Sequence, residues 1–97
     1  MIASFADKAT QDIFDGRSTR NTRAALPEEL LSIARRRLDQ VNRVGSLEEL
    51  AIPPGNRLER LRGDRKGQCS IRINRKYRIC FRWKEGNAHD VEITDYH

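Results

Sequence analysis

Asp95-Tyr96-His97 sets a carboxylate, a phenol and an imidazole side by side at the end of an alternating stretch. Histidine exchanges its proton near neutral pH, which is what general acid–base chemistry needs. Arg72 and Arg78 occupy polar positions in two other alternating stretches. They stay charged at any working pH and can hold a phosphate through paired hydrogen bonds. Arg62, Arg65 and Lys66 precede the first of these stretches and add basic character. A proton-transfer group beside a fixed cation can activate a nucleophile and stabilise charge developing on a phosphate. A solvent-facing strand and a polar chain end account for the same residues in structural terms. His89 has no evident partner and reads as a structural or surface residue.

The pattern offers little to a metal or cofactor. His89 and His97 form no HExxH-like pair, and Cys69 and Cys80 fit no metal spacing. No glycine-rich phosphate loop and no Gly-x-Ser-x-Gly elbow is present. The expectation is no metal and no cofactor, with the cysteines as reduced thiols. If a phosphodiester is the target, RNA suits this inventory, because its 2′-hydroxyl is a built-in nucleophile.

The 97 residues predict a single domain, 1–97, with one modest core. A net charge of +5 and a pI near 9.8 favour polyanionic partners: nucleic acid, a ribosome or an acidic protein. Surplus arginine kept for solubility explains the charge equally well. No apolar run approaches the roughly 20 residues of a membrane span, and residues 1–7 lack a leader signature. The expectation is therefore a cytoplasmic protein without a membrane partner.

These side chains need elements to position them. Ile2–Phe5 reads as a short strand. Asp7 reads as the N-cap of a brief helix through Ala9, Ile13 and Phe14 that ends at Gly16. Residues 17–23 are polar, aperiodic and predicted as a loop. The clearest helix starts near Pro27 and aligns Leu31, Ala34, Leu38 and Val41 on one face. Arg35, Arg36 and Arg37 sit in it, either as a solvated face or as a contact for RNA or ribosome. Gly45 ends it, and Ser46-Leu47-Glu48-Glu49 matches a capping box for a short turn. After Ile52-Pro53-Pro54-Gly55-Asn56 the period changes to two: Cys69, Ile71, Ile73; Tyr77, Ile79, Phe81, Trp83; Val91, Ile93. The expected fold is α+β, a small antiparallel sheet with two N-terminal helices packed on one face and arginines on the free face.

Three stretches together carry a resemblance: Pro53-Pro54-Gly55-Asn56-Arg57-Leu58-Glu59, the run from Leu61-Arg62-Gly63-Asp64 to Ile71-Arg72-Ile73-Asn74, and Tyr77-Arg78-Ile79-Cys80-Phe81-Arg82-Trp83. With Val91-Glu92-Ile93-Thr94-Asp95-Tyr96-His97 and the start Met1-Ile2-Ala3-Ser4-Phe5, they resemble the HigB family of the RelE/ParE toxin superfamily, the plasmid maintenance system killer proteins. The resemblance spans nearly the whole chain and is weakest between Asp7 and Ser46.

The resemblance implies the toxin of a type II toxin–antitoxin system that cuts mRNA on the translating ribosome. It implies a HigA-type antitoxin with a helix-turn-helix domain, through which alone the complex would reach DNA. It assigns Asp95, Tyr96 and His97 to a terminal catalytic cluster and Arg78 to the scissile phosphate. Arg62 and Lys66 would hold RNA, with Arg72, and Arg35, Arg36 and Arg37 would dock ribosomal RNA. Glu59 departs from the pattern, since some members carry histidine there. As a base it needs a nearby arginine to offset its repulsion of phosphate, with Arg57 and Arg60 close in sequence; as an ion-pair residue it is structural. Two alternatives share the fold: a ParE-like toxin that binds gyrase without cutting RNA, and a weakly active toxin serving mainly as antitoxin corepressor.

Overall fold

A computed structural model describes residues 1–95. Tyr96 and His97, part of the predicted terminal cluster, lie outside the described residues.

Three α-helices precede the sheet among the described residues. Helix α1, Lys8–Phe14, starts where the Asp7 side chain accepts from the Thr10 N–H at 2.7 Å, as its sequence predicts. Helix α2, Arg20–Ala25, corrects the loop expected over 17–23. Thr19 and Thr22 cap it reciprocally: each hydroxyl accepts from the other residue's backbone N–H, at 3.2 and 2.9 Å. A capping box closed by threonine rather than Glu or Gln is easily passed over. Helix α3, Leu31–Arg43, follows a 3-10 turn at Glu28–Leu30 and buries Leu31, Ala34, Leu38 and Val41 as the spacing requires. The next turn, Leu47–Ala51, has the predicted capping box. The Glu49 carboxylate accepts from the Gly45 and Ser46 N–H groups at 2.6 and 2.9 Å, and these bonds lower its pKa.

Strands β1 (Glu59–Arg60), β2 (Cys69–Arg72), β3 (Arg78–Lys84) and β4 (Asn87–Thr94) form an antiparallel sheet in that order. One face carries Cys69, Ile71, Ile79, Phe81, Val91 and Ile93, all buried in one core with Ala34, Leu38 and Val41 of α3. The architecture is the expected α+β fold, an antiparallel sheet with its helical layer on one face. The strand expected at Ile2–Phe5 is reduced to two isolated parallel bridges on the outer edge of β4, Ile2 with Ala88 and Phe5 with Val91. Between them Asp90 takes a left-handed backbone (φ 54) and breaks the ladder, its N–H donating to Ser4 Oγ at 2.9 Å.

The second sheet face departs from the open polar surface that alternation suggests. Ser70, Arg78 and Cys80 are buried on it. The segment between β1 and β2 folds across: Arg65 reaches Glu92 on β4 at 3.1 Å, past both intervening strands. Gly67 takes a left-handed backbone there (φ 92), a conformation that favours glycine.

Candidate functional site

Strand pairing builds the site. Register sets Arg72 opposite Arg78 and Glu59 opposite Ser70, so all four share the face away from the core. The β2–β3 connection is tightened by the Asn74 side chain, which accepts from the Lys76 and Tyr77 N–H groups at 2.9 and 2.7 Å. Arg75 stands in that turn. On the other side, the 3-10 turn Pro54–Asn56 delivers Arg57. Arg57, Glu59, Arg72, Arg75 and Arg78 thus line an open cleft of about 390 Å³.

Arg78 anchors it. Its side chain is largely buried, yet it remains charged, so the charge must be met by acceptors. Nε donates to Ser70 Oγ and Nη2 to the Arg57 carbonyl, both at 2.7 Å. Nη1 lies 3.9 Å from Glu59 Oε1, an ion pair with an exposed carboxylate. Glu59 is therefore offset by Arg78 across the sheet, rather than only by its sequence neighbours. Four arginines and one carboxylate line the cleft, an excess of positive charge suited to a phosphate, which can reach Arg78 by displacing Glu59 from its long 3.9 Å pair.

The predicted residues divide. Arg72, Arg78 and Glu59 meet in the cleft. Thr94 pairs with Arg78, so β4 ends beside it, and the exposed Asp95 follows, 3.8 Å from Lys76 Nζ. Arg62 and Lys66 are exposed on the segment that enters β2 at Cys69, the end opposite Arg72, and do not line the cleft. Arg35 donates from Nε to the Ile13 carbonyl of α1 at 3.1 Å. Arg37 donates from Nε to the Arg72 carbonyl at 3.2 Å, and burial, then neighbouring Arg36, lowers its pKa. Arg36 is exposed. Arg75 and Ser70 join the site without a signal of their own in the sequence, and Arg57 is marked there only as a neighbour of Glu59. Arg75 is within reach of sequence reasoning only by its place, since the turn joining the Arg72 and Arg78 strands must project beside both. Among the described residues, no group of three or more His, Cys, Asp or Glu is arranged to hold a metal ion.

The chain is similar to known proteins over nearly its whole length. A family profile described as the RelE-like toxin of the type II toxin–antitoxin system HigB matches residues 3–97. Toxin HigB-1 of Vibrio cholerae is 34% identical over 96 residues, covering 99% of this chain and 98% of that protein. Endoribonuclease HigB of Proteus vulgaris is 29% identical over 101 residues, with both chains fully covered. An uncharacterized protein of Haemophilus influenzae is 27% identical over 76 residues, 78% of this chain and 75% of its own length.

Proposed function

The chain belongs to the HigB-like family, RelE-like toxins of type II toxin–antitoxin systems, and on that premise we propose that it is an endoribonuclease that cuts mRNA on the translating ribosome. Membership implies an antitoxin partner. We take that partner to be of HigA type, with a helix-turn-helix domain that carries the complex to DNA. No helix among the described residues is long and apolar enough to cross a membrane; we place the protein in the cytoplasm, where its substrate is made.

One observation carries the reading. Arg78 is immobilised in a cleft with three further arginines, 3.9 Å from a carboxylate that can take a proton. Charge that builds on a phosphorane meets a cation already in place, which is the arrangement that lowers a barrier rather than merely binding substrate. Either His97 or Glu59 removes the 2′-hydroxyl proton. The oxygen then attacks the adjacent phosphorus, and the P–O5′ bond breaks as the leaving oxygen is protonated. Tyr96 stacks on a base or takes part in proton transfer, and Asp95 positions its neighbours. The products carry a 2′,3′-cyclic phosphate, or the 3′-phosphate formed when water opens it, and a 5′-hydroxyl.

The test is an in vitro translation reaction with mRNA ends mapped by primer extension, comparing wild type with Arg78→Ala and His97→Ala. Ribosome-dependent cuts that vanish in both variants are expected. Absence of cuts by the wild type, together with inhibition of gyrase supercoiling, sinks the proposal.

A further inference from the structure

Arginine carries five N–H donors in a rigid plane, and which edge of that plane meets a phosphate decides where the phosphate sits. In Arg78 the Nε–H is committed to Ser70 Oγ and one Nη2–H to the Arg57 carbonyl. Nε and Nη2 lie on the same edge, the fork that arginine otherwise uses to grip an oxyanion side-on. Here the protein closes that fork. The edge made by Nη1 and the remaining Nη2–H is the one beside Glu59.

Both acceptors are built in by the fold. Ser70 is fully buried on β2, opposite Cys80 and on the same face as Arg78. The Arg57 carbonyl is aimed by its backbone, which is left-handed at φ 46 and ψ 57. L-residues other than glycine and asparagine disfavour that region, so the surrounding structure must impose it. Asn56 supplies the constraint. It is fully buried, and its Nδ2 donates to Gln40 Oε1 at 3.1 Å and to the Leu50 carbonyl at 3.0 Å. The residue before Arg57 is thereby tied to α3 and to the turn at Leu47–Ala51.

We infer that Ser70 and the main-chain carbonyl of Arg57 are positioning groups that lock the Arg78 guanidinium, so that it engages an RNA phosphate end-on, through Nη1 and Nη2 alone. This rests on the RNA-cleaving function proposed above. A guanidinium held by two bonds along one edge cannot swing freely to follow the ground-state phosphate. It favours the phosphate geometry that forms beside Glu59, which places the effect of both groups on kcat rather than on KM.

The experiment pairs a structural and a kinetic readout on the full-length chain. In ¹⁵N-arginine-labelled protein, the Arg78 Nε–H exchanges slowly with solvent in the wild type. Ser70→Ala speeds that exchange and lowers kcat for RNA cleavage by about tenfold to a hundredfold, with KM within about twofold, the scale expected for a small misplacement of a reacting group. Ser70→Thr restores both. Arg57→Gly and Arg57→Val remove the same charge, but only valine opposes the left-handed backbone. The valine variant therefore releases the Arg78 Nη2 protons and loses about tenfold more kcat than the glycine variant, by the same misplacement scale. An Nε–H equally exposed in wild type and Ser70→Ala overturns the inference, as do equal effects of glycine and valine, or a rise in KM alone. If the wild type cuts no RNA, the proposed function fails, and the exchange rates still decide whether Arg78 is locked.

Discussion

Arg37 of α3 donates from Nε to the main-chain carbonyl of Arg72 at 3.2 Å, so a helix that builds the core also fixes the strand end from which the cleft is made. The contact joins residues 35 positions apart and crosses from the helical layer to the sheet. Its neighbour Arg36 points to solvent. Adjacent members of one arginine run thus perform different tasks, and the difference is set by helical phase.

That division predicts unequal stability effects. Arg37→Ala removes a charged donor and leaves a carbonyl unmet near the β2 end, at a cost of about 1.5–3 kcal/mol. Arg36→Ala, on an exposed face, stays within about 0.5 kcal/mol of wild type. Urea unfolding of both variants measures the contrast. Equal midpoints would show that the Arg37 bond does not hold in solution.

RNA affinity is expected to fall with salt according to the arginines in the cleft. For single strands each neutralised phosphate contributes about −0.7 to the slope of log affinity against log salt, so three to four contacts give a slope of about −2 to −3. Arg72→Ala should flatten it by about 0.7, whereas Arg62→Ala and Lys66→Ala, outside the cleft, change it less. Fluorescence anisotropy of a labelled RNA with the 2′-hydroxyl removed at the cleavage position reads the slope without turnover. A larger change for Lys66→Ala than for Arg72→Ala would move the interface to the opposite end of β2.

Much of this arrangement is legible in the chain because it rests on strict periods. Alternation over Cys69–Ile73 and Tyr77–Trp83 places Arg72 and Arg78 on one face, and the 3-4-3 spacing of Leu31, Ala34, Leu38 and Val41 gives α3. What escapes is whatever depends on tertiary closure. Cys80 is buried beside Arg65, which crosses to Glu92 in a contact between residues 27 positions apart with no local signature, and Arg78 is buried against Ser70 and the Arg57 carbonyl. The Arg57 carbonyl depends on a left-handed residue that is not glycine, which propensity argues against. Helix α2 rests on a threonine pair and on no apolar period.

A phosphate engaging Arg78 end-on, as proposed above, would compete with Glu59, whose Oε1 lies 3.9 Å from Nη1. Glu59→Gln removes the competing charge while keeping the shape. We expect it to tighten binding of the uncleavable RNA by about threefold to tenfold at low salt, from the loss of one close repulsion partly screened by water. Binding titrations at two salt concentrations check this, and weaker binding by the glutamine variant would refute it. The kcat of the same variant then assigns the base: a collapse points to Glu59, and near-retention points to His97.

Cys80 gives a test of the covered face that does not depend on RNA. Burial raises its thiol pKa from an ordinary 9.0 to about 11, with Arg65 and Arg78 pulling it down and Glu92 pushing it up. Cys69 is raised as well, by burial, against the opposing field of Arg60. Both are buried thiols, so an aromatic disulfide reagent at pH 8 should label neither in the native protein and both after denaturation. The sign of the pH dependence follows from which state holds the proton longer. Between pH 9 and 11 the folded chain keeps the Cys80 proton that the unfolded chain has released. Its contribution to stability is therefore intact below pH 9 and falls across that window, by an upper limit of roughly 2–3 kcal/mol. Other groups titrate in the same range, so the quantity to measure is the difference between wild type and Cys80→Val in urea midpoints from pH 8 to 11. The wild type should lose stability relative to the valine variant as pH rises. A constant difference, or rapid native labelling of Cys80, would mean that the segment carrying Arg65 does not close over this face.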